Sequence, residues 1–475
     1  MTVVWLYWPL TKYFFFQDDF ILLSMAGSVK NWWDVFRFSD VIFWRPLSVQ
    51  IYFNLARSLF GLEPFWYHFI SLVLHLINSL LVWKLVNKLS KNTSISWLSG
   101  FLFATSPIHF MSQIWIGEFP IILGQSLWLV GVLLAIKWLQ SPIWRNSIWF
   151  FLIFSFGLMA HEMVLTLPLM LLVTVYVSRK IDNKREFIYR KILQLLLMGF
   201  PAVAYLLLRL FIFPVTATGQ YELQINGEAA KSVWWYLLWM LNVPENITYQ
   251  SLFPLRIRPE FVKHFPLRSL WWTLQPLILT LILGSSLLVK KFHDFTWNKK
   301  YIQLGLLWFG IGFSILLLAL GHKYPFLLTF ALPGFAILLS ASIIAFIKNA
   351  SRAKTYLILG SFIIMWLTSS WLTLRFTEST HWTAKEALIA EKLIFQVKQH
   401  PYISTSNIVI IPLGDDNQRQ ASLADQLGLQ IMFNNPLIRT YYSEPDNLNP
   451  PECVGLETEE LDDCIKSHLI VRIKG

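Results

Sequence analysis

Charge is what this sequence has little of. Only 14% of its 475 residues are Asp, Glu, Lys or Arg, against about 25% in soluble domains. A chain this poor in charge cannot cover a water-facing surface, which excludes an ordinary soluble globular protein. Acid is scarcer than base: 28 Asp and Glu stand against 39 Lys and Arg, a formal net charge of +11. Cysteine is almost missing. The two present, Cys453 and Cys464, are too few for a disulfide-built scaffold. There is no internal repeat and no low-complexity tract. There is also no cleavable leader with a small-residue cleavage site. The first apolar run, Val3 to Phe16, reads as a span in itself. It is short and holds Lys12, which leaves open a start upstream of Met1.

Apolar and aromatic residues are there instead, at 55% and 16% of the chain. Many runs exceed the ~18–20 residues that cross a bilayer. The pattern predicts a polytopic membrane protein with about eleven spans, near 3–16, 66–87, 94–113, 119–139, 147–160, 164–178, 191–213, 269–289, 301–320, 324–347 and 355–374. Pro168 and Pro201 fall inside predicted spans, where proline marks a kink or a packed site. Alternate loops are short and strongly basic: "KLVNKLSKN" (84–92), "KWLQSPIWR" (137–145), "SRKIDNKREFIYRK" (178–191), "KKFHDFTWNKK" (290–300) and "KNASRAK" (348–354). Such loops belong in the cytoplasm. The N-terminus is then expected inside and the C-terminus outside. Most of the positive charge is explained by this topology, and nucleic acid is not needed as a partner.

Two outer segments are not spans. Residues 28–62 and 214–268 mix aromatics with arginine, as amphipathic helices in the membrane interface do. "WWYLLWML" (234–241) is too short to cross. Residues 1–375 thus form the membrane domain. From 376 to 475 the hydropathy drops, and a small extracytoplasmic α/β domain is predicted. Its helices are "WTAKEALIAEKLIFQVKQ" and "ASLADQLGLQIMF"; its strands are "NIVIIPLG", "LIRTYY" and "HLIVRIK". Cys453 and Cys464 lie in it. An oxidising compartment permits a bond between them, but their spacing does not decide it.

The outer face collects the candidate chemistry. "YFFFQDDFILL" places Asp18 and Asp19 side by side where the chain leaves the first span. A central aspartate costs about 2.5–3.5 kcal/mol to insert, so the pair marks an outer end. One Asp suits the N-cap of the next helix; two cannot both cap it. Arg45 follows in "FWRPL". His68, Ser71, His75 and Asn78 share one face of the next span. Interhelical hydrogen bonding explains His75 and Asn78, while His68 sits at the outer end. Three short turns on the same side carry His109 and Glu118, His161 and Glu162, and His322 and Lys323. The long outer loop adds Arg256 and Arg258, either for anionic lipid headgroups or as a cradle for phosphate. Glu118 with Asp19 offers oxygen to a divalent cation such as Mg or Mn, without a full ligand set.

The order of these pieces resembles the GT-C glycosyltransferases. A carboxylate pair after the first span is followed by "RPL", "YHFISLVLHLINS", "SPIH…WIGE", "AHE" with "LPL", "YLLLR" and "GHKYPFLLTFALPG". The likeness spans roughly 13–375 and is greatest to polyprenyl-phosphate-sugar enzymes related to protein O-mannosyltransferases and the RgtA/B/C/D-like group. It implies an integral enzyme of the bacterial plasma membrane with its site facing outside. The implied reaction moves a sugar, mannose among the candidates, from a polyprenyl-phosphate carrier to a hydroxyl of a glycan, lipid or protein. Carried over, Asp18 or Asp19 is the general base and Glu118 the second acidic position. Arg209, closing "YLLLR", and His322 with Lys323 approach the lipid phosphate. The turn that usually reads Lys-Glu is here His161-Glu162, a departure that removes a fixed positive charge. A flippase for lipid-linked sugar is the alternative that would want its charges near the midplane. A polysaccharide ligase or polymerase would favour paired arginines and a catalytic His. A non-enzymatic scaffold would tolerate loss of both aspartates.

Overall fold

The structure is a computed structural model. It describes residues 1–27, 29, 31–36, 43–177, 186, 189–212, 228–249, 251–252, 256–257, 259–288, 296–318, 323–348, 350–399, 408–412, 417–443 and 471–472.

The stretch predicted as the first span is not one helix. Helix α1 (Thr2–Tyr7) gives way to a 3-10 turn, Trp8–Lys12, and then to an irregular run up to Gln17. Pro9, near the start of that turn, lacks the N–H that an α-helix would bond backwards. Helix α2 (Asp18–Gly27) follows, and α3 (Tyr52–Phe60) comes after a π-turn at Leu47–Ile51. Helix α4 (Pro64–Ser90) starts on a proline and stops at Lys91, which is left-handed at φ 55°. Asn92 caps α5 (Thr93–Thr105) by accepting from the Ile95 N–H at 3.0 Å. The predicted third span breaks here too. Ser106 is extended before Pro107, as a residue preceding proline prefers, and α6 (Phe110–Ile114) is a separate short helix.

Helix α7 (Phe119–Gln140) returns antiparallel to α8 (Trp144–Ala160). A 3-10 turn, Glu162–Thr166, leads into α9 (Leu167–Val177), so Pro168 lies in its first turn and not inside a helix. Pro201 does sit within α10 (Ile192–Leu207), which ends in a π-turn, Leu208–Ile212. The long loop folds as α11 (Glu228–Met240), α12 (Glu245–Tyr249), the two-residue strands β1 (Ser251–Leu252) and β2 (Arg256–Ile257), and α13 (Pro259–His264). Then come α14 (Pro266–Leu288), α15 (Thr296–Ser314), α16 (Leu332–Ile347) and α17 (Arg352–Thr380).

Among the described residues, five helices are long and apolar enough to cross a membrane: 64–90, 116–140, 192–212, 266–284 and 352–380. Shorter apolar helices cover 162–176, 301–317 and 332–347. These lengths fit a multi-pass membrane protein. Helix α10 shows the pattern clearly, with Leu196 61%, Phe200 58% and Val203 55% exposed. Side chains this apolar are stable in the open only against lipid.

Inside the bundle, polar groups tie helices together. Trp366 Nε1 donates to Thr105 Oγ1 at 2.9 Å, Gln125 Nε2 to the Thr329 carbonyl at 2.8 Å, and Trp128 Nε1 to Thr166 Oγ1 at 3.0 Å. Helix α7 starts beside Glu118 and carries Lys137 in its last turn, and α4 likewise ends on Lys88. One end of the bundle is therefore acidic and the other basic.

Helix α17 runs without a break through the boundary predicted at 375 and stops at His381. His381 joins two segments: its nitrogens lie 2.8 Å from Thr383 Oγ1 and 3.2 Å from Glu245 Oε2. Helix α18 (Trp382–Gln399) leads to strand β3 (Ile408–Pro412). The single helix predicted over 421–433 is two, α19 (Gln418–Ser422) and α20 (Leu427–Met432). Ala424 and Asp425 between them are left-handed, at φ 47° and 62°, a conformation no α-helix contains. Strands β4 (Arg439–Ser443) and β5 (Val471–Arg472) flank β3, all parallel, in the order β4-β3-β5. Helix α20 packs against α2, which brings this segment to the acidic end of the bundle.

Candidate functional site

Four residues, Phe16 to Asp19, form a closed turn. The Asp19 N–H donates to the Phe16 carbonyl at 3.1 Å, and Asp19 Oδ2 accepts from the Phe16 N–H at 3.1 Å. Asp19 Oδ1 accepts from the Gly117 N–H at 2.6 Å. Asp19 is thus fully buried and uses both oxygens on backbone donors. Burial pushes its pKa well above the ordinary aspartate value, the two N–H groups oppose that shift, and the neighbouring Asp18 and Glu118 add to it. Position 117 is tightly enclosed. A Cβ there would stand 3.3 Å from Asp19 Oδ1 and 3.1 Å from Trp115 Nε1. Phe16 stacks on Trp115 at 5.7 Å, and Trp382 meets the edge of both.

Asp18 points the other way. It is exposed at its own atoms, yet the protein around it is dense enough that desolvation raises its pKa. No hydrogen bond engages its carboxylate, or that of Glu118, among the described residues. Asp18 interacts electrostatically with Glu118, Tyr324 and Glu386. The two predicted acids, Asp18 and Glu118, are therefore neighbours, linked through Asp19 and Gly117.

Arg45 lies on the far side of Glu118. It holds Glu162 in a two-point contact, Nε to Oε2 at 2.9 Å and Nη2 to Oε1 at 2.6 Å, with its guanidinium 4.3 Å over the Phe43 ring. Such paired geometry is specific to arginine. Tyr205 interacts with Glu162, Arg209 and Arg45. The motif "YLLLR" explains why: positions four apart in a helix share a face, so Tyr205 and Arg209 approach together.

The histidines are placed differently. The His68 nitrogens lie 2.9 Å from the Gln113 carbonyl and 3.0 Å from that of Tyr13. The ring fastens α4 to α6 and to the irregular run before α2, and is buried. His109 sits with its ring 4.4 Å from that of His75, 3.0 Å from Thr329 Oγ1 and 3.2 Å from the Phe103 carbonyl. His161 is buried and accepts from the Met163 N–H at 3.2 Å, capping its turn. All three are buried, and His161 Nδ1 also lies 3.9 Å from Glu162 Oε2. Lys323 lies 4.7 Å over the Trp235 ring. His322 and Arg258 fall outside the described residues, as does the side chain of Arg256, whose backbone is in β2.

Among the described residues, no group of three or more His, Cys, Asp or Glu is arranged to hold a metal ion. Asp18 and Glu118 are the pair with oxygens left for a cation. Sequence reasoning missed Tyr205, Tyr324, Gln17 and Glu386. The two tyrosines had a signal, each standing within a motif already singled out, one at the head of "YLLLR" and one beside Lys323. Glu386 had none, because it arrives from a helix over 360 residues along the chain from Asp18.

No known protein family's sequence pattern matches the chain, and no curated protein matches it. Among solved structures it is similar to the oligosaccharyltransferase of Archaeoglobus fulgidus in the apo form. The TM-score is 0.47 at 10% identity, over 99% of this chain and 68% of that one. The same enzyme in complex with Zn and sulfate gives a TM-score of 0.42 at 12% identity, over 99% and 66%. The chemistry is therefore argued from the residues.

Proposed function

We propose that this protein is an inverting membrane glycosyltransferase of the GT-C type, with Asp18 as its general base. It moves a sugar from a polyprenyl-phosphate carrier to a hydroxyl acceptor on the outer face. The observation that carries this reading is the split of the aspartate pair. Asp19 is buried and builds the turn, and that turn presents Asp18, accessible and raised in pKa, beside Glu118.

A hydroxyl is a poor nucleophile at neutral pH. As its oxygen attacks the anomeric carbon, the bond from that carbon to the phosphate oxygen breaks. The hydroxyl proton passes to Asp18, a contribution of typically ~10²–10⁴-fold. The phosphate leaves on its lipid and needs positive charge to hold it, not a second acid. Arg209 and Lys323 are the described cations proposed for that task. Arg45 supports the site through Glu162. A single displacement inverts the anomeric centre. The acids gather at one end of the bundle, where a flippase would want charges near the midplane.

The test is transfer from a radiolabelled polyprenyl-phosphate sugar in membranes. Mannose is the first donor to try, with and without Mg or Mn. Asp18→Asn is expected to lose at least about 100-fold. If Asp18→Asn keeps full activity, the reading fails.

A further inference from the structure

We infer that the turn from Ser422 to Gly428 is a positioning element for Asp18, acting through the main chain of Gln17. This rests on the role proposed for Asp18. Gln17 stands at φ 46°, a left-handed conformation that a residue with a full side chain seldom adopts. Something must hold it there. Its N–H donates to the Ser422 carbonyl at 3.0 Å, a bond from a segment 405 positions away. The donor is also the main-chain group immediately before Asp18, so any drift of Ser422 turns the carboxylate.

A second contact holds the other side. Phe20, two residues after Asp18, is fully buried and lies against Gly428. A Cβ at 428 would stand 3.1 Å from Phe20 Cε2 and 2.9 Å from the Leu423 carbonyl. The turn is itself closed, since the Gly428 N–H donates to that carbonyl at 2.8 Å and Ala424 and Asp425 are left-handed. It is a stiff piece and not a trailing loop. A third contact comes from α18, where the Gln17 side chain hydrogen-bonds the buried carboxyl of Glu386, whose Oε2 has no hydrogen-bond partner among the described residues. Residues on both sides of Asp18 are thus held by the C-terminal segment, while Asp19 is held by Gly117 from the membrane part. The base stands where the two parts meet.

A backbone role and a side-chain role predict different series. Asn enters the left-handed region readily, whereas a β-branched residue there is an outlier. In the full-length enzyme, Gln17→Asn is expected to keep kcat within about threefold, and Gln17→Val to lose at least about tenfold in kcat with the donor KM unchanged. Gly428→Ala, which pushes on Phe20 from the far side, is expected to lower kcat in the same way. It also supplies the reading should Gln17→Val not fold. The inference is overturned if Gln17→Val and Gly428→Ala keep kcat, or if Asn falls as far as Val. Asp18→Asn is run in parallel. Inactivity there with an active Gln17→Val defeats the positioning role alone, whereas full activity of Asp18→Asn defeats the reading of the site.

Discussion

Asp18 and Asp19 are chemically identical and adjacent, yet their surroundings give them different work. Asp19→Asn replaces an acceptor oxygen by an NH₂ facing a backbone N–H, at Phe16 or at Gly117. It is expected to destabilise the fold by about 2 kcal/mol. Asp18→Asn, exposed and unbonded, is expected to leave the melting temperature unchanged while removing transfer. Thermal unfolding in detergent beside the transfer assay separates the two. With its pKa raised by desolvation, Asp18 should set an acid limb in the kcat/KM profile above the usual aspartate midpoint. Glu386 gives a second pH effect. Burial lifts its pKa from 4.5 to about 7, with Gln17 opposing and Asp18 adding. Its folded value is above its unfolded one, so the folded state keeps a proton that the unfolded state has released. Stability from this group is full below about 4.5 and declines as pH rises towards about 7. Glu386→Gln should flatten that slope in melting curves taken across the window.

Helices in this bundle approach as closely as their glycines allow, and the neighbour decides what a methyl group would do. Helices α15 and α16 meet backbone to backbone. A Cβ at Gly334 would stand 2.3 Å from the Phe309 nitrogen and 2.7 Å from the Gly305 carbonyl. Neither atom can move without shifting a helix. Gly131 in α7 meets only the end of a leucine, with Leu167 Cδ2 at 2.5 Å, and that side chain has other rotamers. Gly334→Ala is expected to cost about 3 kcal/mol, the upper part of the overpacking range, and Gly131→Ala about 1. Equal shifts in melting temperature would show that α15 and α16 can separate to admit a methyl group.

At the scale of the molecule, the acidic end and the C-terminal segment belong on one side of the membrane. The proposed topology puts that side outside. With Cys453 and Cys464 changed to serine, a single cysteine at Leu437, which is 67% exposed, should react with a membrane-impermeant maleimide in intact cells. One at Lys91, in the basic turn after α4, should react only after lysis. The reverse pattern would place the Asp18 turn in the cytoplasm and remove the proposed outer acceptor.

Hydropathy made the apolar helices legible, because a bilayer demands long runs and leaves no other way to satisfy their backbones. The alternating basic loops set the expected orientation, and the pattern of apolar residues marked Trp382–Gln399 as a helix. The aspartate pair stood out as a candidate site because two charges in a row have no place in lipid. Which of the two is free was not. That follows from Gly117 reaching Asp19, a contact that exists only once the turn Ile116–Glu118 has packed against α2. Nor was Glu386 legible, or the hold of Ser422 on Gln17. Local pattern reports what a segment must bury; it carries no record of which distant backbone group will be waiting when it does.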